Sequence, residues 1–162
     1  MPNTNYWPAL EACLQAYAYA AWPDLSPTSG YWRTTQIATL DFKLIAAPFC
    51  IIEWPSKVPV DADWSGGCNT MFSPEITYWR VVDTVGATDT EAQLLSDLYN
   101  MYNILLRNGL VMTYGSLAVG QALEVNQPDI TEKSTINQAF LLRGIKKLAG
   151  SISVKILFGE IQ

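Results

Sequence analysis

The sequence predicts an α+β fold, one domain over residues 1–162 in which two main helices pack against an antiparallel sheet. Three observations carry this expectation. From Thr88 to Gly109, Leu94, Leu95, Leu98, Met101, Tyr102 and Leu105 recur at helical spacing and form one apolar stripe. The segments on both sides alternate apolar and polar residues with the period of a strand. A single helix between two groups of strands argues against repeated βαβ winding, so antiparallel pairing is the natural layout.

Taken from the N-terminus, residues 1–7 form a short arm. Pro8 opens a helix running to about Trp22, because proline is tolerated in a first turn. Leu10, Cys13, Leu14, Tyr17 and Ala21 share one of its faces, and Pro23 ends it, since the residue before a proline avoids α geometry. A turn-rich loop from Asp24 to Gly30 leads into a β-like region, Tyr31 to Trp54. Within it Thr39 to Leu44 alternate, and Phe49 to Ile52, after Pro48, read as a well-buried strand. Residues 55–74 hold three prolines and the Gly66-Gly67 pair, and read as a long loop, a kind that is usually functional or mobile.

Ile76 to Thr84 is the next strand. The main helix follows, with Thr88 and Glu91 at capping-box spacing, Arg107 in the last turn and Gly109 to stop it. Val111 to Tyr114 and Ala118 to Val125 read as strands punctuated by Gly115 and Gly120, and Asn126 to Ser134 as a polar loop. Phe140 to Leu148, a turn at Gly150 and Ser151, and an alternating strand from Ile152 to Phe158 suggest a closing hairpin.

Composition narrows the function classes. Hydrophobic residues make up 49% and charged residues 15%, which excludes intrinsic disorder. Sparse charge with six tryptophans and eight tyrosines favours a protein that buries surface against partners. A net charge of −5 with ten scattered Lys and Arg gives no basic face for nucleic acid, and the one dense cluster, Arg143, Lys146 and Lys147, reads as a solvated strand or turn. Cys13, Cys50 and Cys68 form no CxxC pair, so a reducing cytoplasm is expected rather than a disulfide framework. Polar residues follow Met1 where a leader would be basic and then apolar, and no apolar run reaches bilayer length; the expectation is a soluble protein without a signal peptide.

There is no histidine, which removes Ser-His and Cys-His nucleophiles and imidazole-based metal sites. Asp61, Asp63, Ser65 and Gly66 match the start of a calcium loop, but Phe72 stands where a bidentate Glu is required, so a polar turn is the better reading. Gly115 and Gly120 have phosphate-loop spacing without its Lys or Ser/Thr, since Gln121 and Ala122 follow. Asp41, Glu53 and Asp83 supply carboxylates for a hydrolase, whose separations the sequence does not give. The aromatic run Tyr6, Trp7, Tyr17, Tyr19, Trp22, Tyr31 and Trp32 lacks interleaved basic residues, which favours packing over base stacking. No catalytic, cofactor-binding or metal residue is assigned, and an enzyme is not expected. A small-ligand binding module with an aromatic pocket remains the alternative.

The order of elements resembles a known family. An N-terminal amphipathic helix precedes a proline-led apolar strand, Ala47-Pro48-Phe49-Cys50-Ile51-Ile52-Glu53. The glycine loop Ser65-Gly66-Gly67 leads to the strand Ile76–Val82, the helix Glu91–Leu106 and a last strand, Ser153 to Phe158. This resembles the tail terminator and tail-completion (neck) proteins of tailed bacteriophages. The resemblance implies a virion protein made in the host cytoplasm, forming a ring, commonly a hexamer in that family. Such a ring ends tail-tube growth and joins the tail to the neck. Its implied partners are copies of itself, the tail-tube protein, the neck or connector protein, and the sheath protein if the tail is contractile. Sequence-specific nucleic acid and membrane are not among them. Strand edges and loop 55–74 would serve pairing between neighbours, and residues 110–150, a length that compact members of the family lack, are a candidate extra hairpin region for contacting a connector or neighbouring subunit.

Overall fold

The computed structural model describes residues 4–35, 40, 46–62, 65, 69–84, 90–107, 111–130 and 135–161. In chain order these form β1 (Thr4–Asn5), α1 (Trp7–Ala21), β2 (Gly30–Thr34), β3 (Phe49–Glu53), β4 (Asn69–Phe72) and β5 (Glu75–Asp83). They continue with α2 (Thr90–Leu106), β6 (Val111–Tyr114), β7 (Leu117–Val125), α3 (Thr135–Leu142) and β8 (Lys147–Ile161). The fold is mixed α and β, as the sequence predicts. Two finer features differ: β2 pairs with β3 in parallel while the other strand pairings are antiparallel, and a third helix joins the expected two among the described residues.

The long strand β8 organises the sheet, whose order is β2-β3-β5-β8-β7-β6. Along one edge of β8 lie β5, from Glu75↔Lys155 to Asp83↔Lys147, and then β4, from Phe72↔Phe158 to Asn69↔Ile161. Ile156 N–H donates to Pro74 O at 2.9 Å where the two strands meet. The other edge is served piecewise. The Asn137 side chain takes both main-chain groups of Ala149, at 3.0 and 2.9 Å. Asp129 exchanges two backbone bonds with Ser151, Asn126 N–H donates to Ser153 O, and β7 and β1 take over beyond. Buried main-chain polar groups must find partners, and β8 finds them in four different segments.

Strand alternation divides the core. Cys50, Ile52, Ile76, Tyr78, Ile152, Val154 and Ile156 share a cluster with Leu10, Cys13, Leu14 and Ala18 of α1 and Leu94, Leu98, Met101 and Leu105 of α2. Phe49, Ile51, Val81 and Ala149 cluster with Ile136 and Phe140 of α3 instead. Thus α1 and α2 cover one face of the sheet and α3 the other. Each fully buried large apolar side chain contributes roughly 1.5–3 kcal/mol. At Gly150 an added Cβ would stand 2.7 Å from Leu98 Cδ1 and 3.3 Å from Asp129 O, so a larger residue fits there only if Leu98 shifts.

Several expectations are corrected. Phe140 to Leu148 is not a strand, and Gly150 and Ser151 are not a turn. α3 runs through Leu142, and Gly150 and Ser151 lie inside β8 opposite Arg80 and Trp79. Ile136 and Phe140 sit one helical turn apart on the sheet, a helical spacing too short to stand out beside the adjacent leucines. Loop 55–74 contains β4, and Asp61 N–H donates to Met71 O. The 110–150 region holds one hairpin, β6–β7, turned at Gly115 with φ +62, and then α3. Residues 4 and 5 of the expected arm pair with β8 as β1. Thr88, Gly109, Thr39 and 41–45 lie outside the described residues.

Candidate functional site

The residues singled out for chemistry are for the most part structural. Ser65 Oγ accepts from Met71 N–H at 3.0 Å and donates to Met71 O, so the calcium-like string is a tied turn; Asp63 and Gly66 lie outside the described residues. No cluster able to hold a metal ion occurs among the described residues. Phe72 packs on Trp7 and Phe158, with ring centroids 5.3 and 5.5 Å away. Glu53 accepts a hydrogen bond from Trp79 Nε1 at 2.9 Å. It pairs in register with Thr77, while Asp83 ends the same strand β5. Six residues of strand put these carboxylates about 20 Å apart, well beyond the glycosidase range. Asp41 and Cys68 lie outside the described residues.

The aromatic run is likewise consumed in packing. Trp7 stacks on Trp54 at 5.8 Å and meets Phe158 edge-on at 4.7 Å. The Arg33 guanidinium lies 4.7 Å from the Trp54 ring and pairs with Glu11, so the chain's own cation caps this aromatic cluster. Tyr19 packs on Trp32 and Tyr31 on Phe49. Tyr17 Oη accepts from Thr113 N–H at 3.4 Å, and Cys13 Sγ donates to Thr113 O at 3.3 Å. These bonds occupy the groups of β6 that an added strand would need at Thr113. Burial pushes the Cys13 thiol up to about 11 and the Cys50 thiol higher still, so both stay protonated and unreactive near neutrality.

Arg80 is a buried charge that sequence reading did not single out. It projects from β5, Nε to Asp97 Oδ2 at 3.2 Å on α2 and Nη2 to Asp24 Oδ2 at 2.6 Å in the loop after α1. Gln93 supports Asp97 at 3.0 Å, and Trp22 Nε1 donates to Asp97 O at 2.8 Å. The Trp22 ring lies 5.3 Å from the guanidinium. This network ties both helices to the sheet, and every contact in it is internal.

Part of what remains outward is apolar. On α2, Leu95, Tyr99 and Leu106 are 40%, 47% and 42% exposed, and Tyr102 is half-buried with its ring 6.2 Å from that of Tyr99. These four follow one another at intervals of four, three and four residues, a second stripe beside the buried one. The sequence reading placed Leu95 and Tyr102 in the core stripe; the structure turns them to the flank. A hollow of about 460 Å³, lined by Glu91, Ala92, Leu95 and Ile130, adjoins the start of this stripe. On the other side of the sheet, Leu141 and Leu142 at the end of α3 are 81% and 87% exposed. Of the basic cluster, Arg143 and Lys146 follow them, exposed, whereas Lys147 is half-buried at the start of β8 with its ammonium 5.2 Å from the Phe49 ring. A second depression, about 350 Å³, lies between Tyr6, Met71, Val119, Leu157 and Phe158.

Compared with known proteins, the chain matches no family model and no curated protein sequence. Among the described residues, no helix is long and apolar enough to cross a membrane.

Proposed function

We propose that this chain is a structural virion subunit that forms a ring at the head-proximal end of a bacteriophage tail, ends tail-tube growth and joins the tail to the neck or connector. The order of elements supports the reading, from the proline-led buried strand β3 through β5 and α2 to the last strand β8. The observation that carries it is the pair of exposed apolar surfaces on different sides of one sheet, at α2 and at the end of α3. A subunit with two unlike contact surfaces associates head to tail, and such contacts close into a ring when the rotation permits. In this reading the role is geometric, with no catalytic residue, cofactor or metal. The net charge of −5 suits a wall past which DNA moves without being gripped.

The experiment is a virion assembled without this chain. Tail tubes of uncontrolled length, unattached to heads, are the expected result; tubes of normal length joined to heads would overturn the proposal. A second reading, a small-ligand binding module, is favoured by the apolar depression beside Tyr6 and Phe158, whose volume is that of a small-molecule site. A metabolite panel that raises the melting temperature would support it, and no shift across the panel would count against it.

A further inference from the structure

We infer that copies of this chain associate head to tail through one defined contact. The apolar and basic tip of α3 (Leu141, Leu142, Arg143, Lys146) seats against the apolar and acidic flank of α2 (Leu95, Tyr99, Ile130, Glu91) on the next copy. This deepens the ring proposed above, and only the closure of the chain of contacts into a ring rests on that reading.

The tip has the geometry of an insert. Ile136 and Phe140 hold α3 to the sheet, so its end is anchored while two consecutive leucines stand almost fully in solvent. Paired apolar side chains exposed at the end of an anchored helix form the core of a contact rather than a solvated turn. The flank of α2 has the geometry of a receptor. Its half-exposed stripe runs toward a hollow of about 460 Å³ at Ala92, Leu95 and Ile130, with room for a pair of aliphatic side chains.

Charge selects which surfaces meet. Arg143 and Lys146 border the leucines, whereas exposed Glu91 lines the hollow, with exposed Asp129 next in the chain to its lining residue Ile130. Tip against tip would oppose like positive charges, and hollow against hollow would oppose like negative charges. Tip against hollow brings opposite signs together and fixes the orientation of the contact. Position then excludes satisfaction within one molecule. α2 lies on one face of the sheet and α3 on the other, so each copy offers its tip to one neighbour and its flank to another. The exposed area is modest. Four named residues on each side are few beside the roughly 20–30 a side of a standard specific interface, so assembly should be strongly concentration-dependent.

The test uses the full chain and four variants, measured by sedimentation over about a hundredfold range of concentration. Wild type should gain mass with concentration, whereas L141E/L142E and L95E should each remain monomeric with unchanged circular dichroism and melting. An equimolar mixture of the two variants should form a dimer and stop there, because one intact tip and one intact flank remain. R143E/K146E should weaken assembly at least tenfold, and adding E91K should restore part of it. A wild type that is monomeric throughout, variants that assemble like wild type, or a mixture of folded variants that stays monomeric would each overturn the inference. If variants assemble normally while virions lacking the chain have unregulated tails, the inference falls and the tail reading stands. If the variants behave as expected while tails form normally without the chain, the reverse holds.

Discussion

Arg80 offers the sharpest test of what holds the two large helices to the sheet. Arg80→Met removes the guanidinium from a buried position and leaves the Asp97 carboxylate, itself buried on α2, with Gln93 Nε2 as its one remaining side-chain donor among the described residues. Removing one partner of a buried ion pair costs about 3–5 kcal/mol, chiefly through the uncompensated charge that remains. Asp24 adds little to this figure, because it is half exposed and its bond is screened by water. Asp97→Leu should cost a similar amount by stranding Arg80, which already carries one buried nitrogen, Nη1, without an acceptor among the described residues. The double variant Arg80→Met, Asp97→Leu removes both charges and should lose no more than about 1–2 kcal/mol. Urea denaturation at one low protein concentration, with equal slopes for all four proteins, measures the cycle. A double variant whose loss equals the sum of the two single losses would refute the coupling. So would an Arg80→Met variant within 1 kcal/mol of wild type.

Further expectations follow from single contacts. Asn137→Ala leaves both main-chain groups of Ala149 unpartnered and should destabilise the fold by about 2–4 kcal/mol, read by thermal melting; Asn137→Asp keeps an acceptor for Ala149 N–H but sets a buried carboxylate against Ala149 O, and should cost at least as much at neutral pH. Burial holds the Cys13 thiol near 11 against an ordinary 9, so above pH 9 the unfolded chain releases a proton that the folded chain keeps. Cys13 alone should therefore lower stability by about 2–3 kcal/mol between pH 9 and 11, and Cys13→Ala should make that part of the profile shallower, leaving the slope that the more strongly raised Cys50 contributes. Gly150→Val should force Leu98 away from β8 and lower the melting temperature by several degrees, while Gly115→Asn at the β6–β7 turn should be mild. Arg33→Ala should change intrinsic tryptophan fluorescence through Trp54 while costing about 1 kcal/mol or less.

Much of the architecture was legible in local patterning. α1, β3, β5, α2 and the end of β8 lie where proline placement, alternation and helical spacing put them, since each signal is carried by residues within one or two turns. α3 was missed for a physical reason. Its anchoring pair spans one turn, and the leucines that follow it point into solvent, so the apolar run carries no period that marks a helix. The two surfaces on which the candidate site rests were equally hidden. Leu94 and Leu95 have the same side chain and differ only by one step of rotation about α2, yet one is buried and the other half exposed.

Local sequence thus set the kind of elements, their order and the absence of imidazole chemistry, because these depend on neighbours along the chain. Long-range packing alone decided the rest. It chose which side of each helix the sheet covers, and it placed Arg80 between acids 17 and 56 residues away. It also closed the edge of β8 with pieces of four segments and left two leucines of α3 facing water. Those outcomes turn on which surfaces meet in space, and no stretch of the chain contains both sides of such a meeting.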